Sequence, residues 1–169
     1  AQRKNVGAVG SKLYYPDDTI QHGGVILGIG DIAGHAYKFF PKDSLGYLGR
    51  LVIVQNLSAV TGACLMMRKE IFNYVEGFDE GYTLALNDVD ICLKIRERGY
   101  LIVWTPYAEL YHYESKTRGY EYTPEKQERF RMEIERFRKK WHKILEKGDP
   151  YYNPNLTITK EDFSIRINE

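Results

Sequence analysis

The chain is 169 residues long, 43% hydrophobic and 28% charged, with 24 Lys and Arg against 23 Asp and Glu. A chain of this size buries roughly 69% of its extended surface, so one core forms without disulfides or a structural metal, and the balanced charge excludes a net field that would draw the molecule to nucleic acid. The longest apolar runs, such as Leu51-Val52-Ile53-Val54, fall far short of the roughly 20 residues of a membrane span, leaving a single α/β domain over residues 1–169 with no transmembrane segment.

Val6-Gly7-Ala8-Val9-Gly10 and Leu13-Tyr14-Tyr15 read as short strands ending in the turn Pro16-Asp17-Asp18. The apolar run starts within about five residues of Ala1, with neither an initial Met nor a signal-like stretch before it, which points to missing upstream sequence. Residues 22–50 hold seven glycines without a sustained period and read as a glycine-rich loop region, either a binding loop or irregular packing. Gly28-Ile29-Gly30 is not a dinucleotide fingerprint, because position 33 is Ala and no convincing helix follows.

Thr61 to Met67 suits a buried strand, followed by a short helix from Arg68 to Phe72. The next helix, 87–98, has Asn87 as its cap, Asp90 at the third helical position and Gly99 as its stop. A buried strand, Leu101-Ile102-Val103-Trp104, is expected next, with a second strand from Ala108 to Tyr113 beyond Thr105-Pro106. The last helix, 124–147, has Thr123 as N-cap, Gly148 as stop and an apolar stripe of Phe130, Ile134, Phe137, Trp141, Ile144 and Leu145. Its nine Lys or Arg are interspersed with five Glu, which favours packing on a domain edge over binding a membrane or nucleic acid. The aromatic tail from Asp149 is expected to lie against the body. Cys64 and Cys92 read as buried thiols, and their scarcity favours a reducing cytoplasm.

Asp88 and Asp90 open the 87–98 helix. Acids in a first turn favour the helix dipole, and Asp90 can complete a capping box with Asn87, whereas Asp88 is free to face an open site as a general base. His112, near the end of a probable strand, is either a metal ligand or proton-transfer group or a satisfied histidine. Lys116 and Arg118 beyond it suit a phosphate-bearing ligand or a solvated loop equally. No Gly-x-Ser-x-Gly elbow, P-loop or zinc spacing is present.

In their order along the chain, Val6 to Leu13, Ile20-Gln21-His22-Gly23-Gly24, Thr61 to Arg68, Gly77-Phe78-Asp79-Glu80, Asn87 to Leu93, Gly99-Tyr100 and His112 resemble the second half of a family 2 glycosyltransferase. The resemblance implies a partial GT-A-like fold, a mixed sheet with flanking helices and a C-terminal amphipathic helix. It further implies an inverting sugar transfer from a nucleotide-sugar donor to a glycan or lipid-linked acceptor. Asp88 would be the base, Asn87, Asp90, Thr61 and Gly62 would serve the acceptor side, His112 would help hold Mg²⁺ or Mn²⁺, and Lys116 or Arg118 would compensate the diphosphate. Asn87 departs from the more usual Glu. No Asp-x-Asp precedes residue 61, so the donor half is expected upstream and the chain alone is expected to be inactive. A cytoplasmic enzyme at the inner face of the membrane is the corresponding expectation. The alternative is a non-catalytic carbohydrate- or protein-binding module derived from this fold.

Overall fold

The computed structural model describes residues 2–83, 85–113 and 123–167. Its centre is β1 (Val6–Tyr14), buried along almost its whole length, which is why its sequence is a run of apolar residues and glycines rather than an alternation. β7 (Leu101–Tyr111) lies parallel along one edge. Two short antiparallel strands share the other edge: β2 (Ile20–His22) beside Leu13 and Tyr14, and β6 (Leu65–Met67) beside Ala8 to Gly10. β5 (Gln55–Leu57) pairs antiparallel with the first half of β7. A separate hairpin pairs β3 (Val25–Leu27) with β4 (Ala33–His35). With α1 (Lys69–Tyr74), α2 (Asn87–Glu97) and α3 (Pro124–Lys147), this is a mixed parallel and antiparallel sheet flanked by helices.

Parallel pairing of β1 with β7 demands a long crossover, and α1 and α2 lie within it. α2 buries Val89, Ile91, Cys92, Leu93 and Ile95. Its close seating explains Gly7: a Cβ there would stand 2.2 Å from Ile95 Cγ2. No helix among the described residues is long and apolar enough to cross a membrane.

Several local expectations are corrected. The two strands foreseen on either side of Thr105-Pro106 are one, because a bulge absorbs the proline: Ser11 pairs with Thr105 and the next residue, Lys12, with Glu109. The buried strand foreseen over residues 61–67 is a 3₁₀ turn, Gly62–Cys64, followed by a half-exposed β6 at the sheet edge, with Met66 66% exposed. Cys64 is accordingly only half-buried, while Cys92 is buried and its thiol is pushed up to about 12 by burial. Asn87 is not the cap of α2 but its first residue. The helix is entered through Leu86 in the left-handed region, φ 65°, and the Asn87 side chain instead accepts the Asp88 N–H at 2.8 Å.

Residues 22–50 carry β3, β4 and 3₁₀ turns at Ile29–Asp31 and Tyr47–Val52, and much of the segment is packed: Val25, Ile26, Leu27, Ala36 and Tyr37 are all buried. In α3, Thr123 Oγ1 accepts the Lys126 N–H and Pro124 fills the first turn, while Phe137 and Trp141 enter the core. The tail returns over the body, stacking Phe163 on Tyr37 with centroids 4.4 Å apart.

Candidate functional site

The carboxyl ends of parallel strands are where open α/β sheets bind ligands, and His112 stands at that end of β1 and β7. His112 follows the last residue of β7, and its backbone N–H donates to Tyr14 O at 2.9 Å. Its Nδ1 lies 2.8 Å from Gln21 Oε1, while Gln21 Nε2 donates to His112 O at 3.3 Å. An amide oxygen only accepts, so Nδ1 carries the proton and the lone pair is placed on Nε2. The Gln21 oxygen thereby fixes the orientation of the ring.

Asp88 is half-buried at the start of α2. Its Oδ2 accepts the Gly62 N–H at 2.9 Å and its Oδ1 accepts the Val89 N–H at 2.8 Å. Gly62 permits this approach because a Cβ there would come within 3.2 Å of Asp88 Cβ. Thr61 caps the Gly62–Cys64 turn by accepting the Ala63 N–H, and its own N–H donates to His22 Nε2 at 3.3 Å. The fold thus brings Thr61, Gly62, Asn87 and Asp88 together. On β2, Gln21 bonds His112 and the next residue, His22, bonds Thr61.

Beside Gly62 opens a groove of about 480 Å³ lined also by Leu65, Met66, Met67, Phe72 and Phe78. A carboxylate has about four lone-pair positions. Two backbone donors therefore hold Asp88 in place and leave it further lone pairs.

Asp90 does not share this position. It is completely buried, its Oδ1 accepting from Trp141 Nε1 at 2.8 Å and ion-paired with Lys140 Nζ at 2.7 Å. It ties α2 to α3. No local pattern marks Glu133, which is buried on α3 and accepts from the Thr83 N–H and hydroxyl, both at 2.8 Å, and from the Ala85 N–H at 2.9 Å. Glu133 therefore ties residues just before α2 to α3. Lys116 and Arg118 lie outside the described residues.

Among the described residues, no group of three His, Cys, Asp or Glu is arranged to hold a metal ion. His112 nonetheless fits as one ligand, since its tautomer leaves Nε2 as an acceptor.

Comparison with known proteins gives the same region a wider context. The chain is 52% identical over 166 residues to an uncharacterized protein of Sinorhizobium fredii, covering 98% of this chain and 18% of that protein. It is 37% identical over 167 residues to an O-antigen biosynthesis protein of Myxococcus xanthus, covering 98% of this chain and 13% of that one. A 60-residue stretch is 37% identical to the N-acetylglucosaminyl-diphospho-decaprenol L-rhamnosyltransferase of Mycobacterium tuberculosis, covering 36% of this chain and 20% of that enzyme. The chain therefore spans less than a fifth of the length of the first two relatives and shares ancestry with a stretch of a glycosyltransferase. No family model and no solved structure matches it.

Proposed function

We propose that this chain, related by sequence to a rhamnosyltransferase and to an O-antigen biosynthesis protein, is the acceptor-side portion of a family 2 glycosyltransferase catalytic domain with a GT-A-like fold. The observation that carries the reading is Asp88, held by the Gly62 N–H at the edge of a groove. A glycan or lipid-linked acceptor hydroxyl gives its proton to this carboxylate as its oxygen bonds to the anomeric carbon of the donor sugar. The bond from that carbon to the nucleoside diphosphate breaks on the opposite face, so the configuration inverts.

Thr61 and Gly62 border the acceptor, and Asn87 restrains the backbone from which Asp88 projects. Asp90 supports the turn through α3. His112 serves the diphosphate side, and the charges of Lys116 and Arg118 suit compensation of the diphosphate. A divalent Mg²⁺ or Mn²⁺ there would supply charge compensation for the departing diphosphate, with His112 Nε2 as one ligand. The nucleotide-binding half belongs to the same longer polypeptide, working at the cytoplasmic face of the membrane.

The test is sugar transfer by the longer protein that carries this segment. Asp88→Asn keeps the size of the side chain and removes the base, at the cost of setting its amide NH2 against one of the two backbone N–H groups that the carboxylate accepts, and lowers kcat by about 10² to 10⁴. Retention of near wild-type turnover removes Asp88 from the reaction. Glycan binding with no transfer by the wild-type protein points instead to a binding module.

A further inference from the structure

Behind the Asp88 loop lies a buried pair of histidines that the proposed chemistry does not use. His22, at the end of β2, is 0% exposed, and its Nδ1 stands 3.1 Å from Nδ1 of the half-buried His35 at the end of β4. Its other ring nitrogen, Nε2, faces the Thr61 N–H at 3.3 Å.

These two contacts determine the protonation of the ring. A backbone N–H only donates, so Nε2 of His22 accepts and carries no proton. A neutral imidazole then has its proton on Nδ1, which donates to Nδ1 of His35, and His35 in turn carries its proton on Nε2. The doubly protonated form of His22 has no place here, since it would set one N–H against the Thr61 N–H. Burial and the neighbouring His35 both hold His22 well below its ordinary value, in agreement with a permanently neutral ring.

Thr61 is followed by Gly62, whose N–H holds Asp88 Oδ2. The order of contacts is therefore His35, His22, Thr61-Gly62, Asp88. We propose that His22 is a positioning residue: fixed by His35 as the Nδ1–H tautomer, it anchors the Thr61-Gly62 backbone and thereby sets the direction in which the Asp88 carboxylate faces. The inference rests on the reading of Asp88 as the base for its effect on turnover, but the tautomer and the anchoring stand independently of it.

Long-range ¹H–¹⁵N spectra of the ¹⁵N-labelled chain should show His22 with a protonated Nδ1 and an unprotonated Nε2. His22→Leu should speed amide exchange at Thr61 and Gly62 by about tenfold, the loss expected for one hydrogen bond, and His22→Gln, whose side-chain oxygen can accept in place of Nε2, should restore protection. His35 makes the second variant, because it meets the His22 ring at Nδ1, on the side away from Thr61. His35→Leu removes the acceptor that fixes the tautomer and should also raise exchange at Thr61, whereas His35→Asn keeps an acceptor and should not.

In the longer protein, His22→Leu and His35→Leu should each lower kcat by roughly tenfold or more with KM little changed, as expected when a reacting group is misplaced. An Nε2-protonated His22, or unchanged Thr61 exchange in both leucine variants, overturns the proposal. Loss of turnover in Asp88→Asn with no loss in the histidine variants also overturns it. If Asp88→Asn itself keeps full turnover, the base reading falls, while the spectra and exchange rates still decide whether His22 anchors the loop.

Discussion

The two sides of the first turn of α2 carry acids only two residues apart, and they are built in opposite ways. On one side, Asp88 is half-buried and held by backbone N–H groups, one of them from Gly62, which lines a groove. On the other, Asp90 is sealed against α3, with a lysine and an indole as partners. A carboxylate held by backbone donors keeps lone pairs for chemistry, whereas a fully buried one paired with a cation is committed to structure. The same residue type within one helical turn thus serves two different ends, and burial separates them.

That contrast can be broken by substitution. Lys140→Met leaves Asp90 buried without its cation and should lower the unfolding free energy by about 3 kcal/mol, at the low end for a broken buried pair because Lys140 is one-third exposed. Asp88→Ala should cost under about 1 kcal/mol, the scale of a first-turn acid and its helix dipole. Chemical denaturation of both variants checks the pair, and equal losses would erase the distinction. Glu133→Ala comes next, at about 2 kcal/mol, because Thr83 and Ala85 lose a buried acceptor. It should also lower transfer through displacement of the segment leading to Asp88, which Lys140→Met does less directly.

The smallest effect is one of pH. Burial pushes Asp79 up, but the Gly81 N–H, Arg136 and Lys140 outweigh it and hold the carboxyl at about 2. A depressed folded-state value stabilises the protein above the ordinary value of 3.8, and this is lost as the pH falls from there towards about 2. The difference in denaturation midpoint between wild type and Asp79→Asn should therefore be constant above about pH 5 and close over that acid window.

Where local signals decide the structure, the sequence is readable. The Thr123-Pro124 start of α3 and its stop at Gly148 need only capping chemistry, and the apolar run of β1 needs only burial on both faces. What could not be read depends on distant partners. Leu86 is a poor residue for the left-handed region, so nothing local moves the helix start to Asn87. Pro106 looks like a strand end because the bulge that accommodates it is defined only by pairing with β1. The same holds at the candidate site. Asp88 could be singled out as an acid that capping did not require, but its bond to Gly62 joins residues 26 apart, and Glu133 lies among other charged residues of α3 with no mark of its own.

The parallel seam between β1 and β7 carries a kinetic consequence. Val6 pairs with Leu101, so the two strands meet across a separation of about 95 residues, and the chain must close that loop before any of their hydrogen bonds reward it. His112 hangs from the far end of this seam through Tyr14, and α2 is seated against its near end at Gly7. The imidazole and α2 both rest on this seam, so slowing its closure should delay assembly of the site.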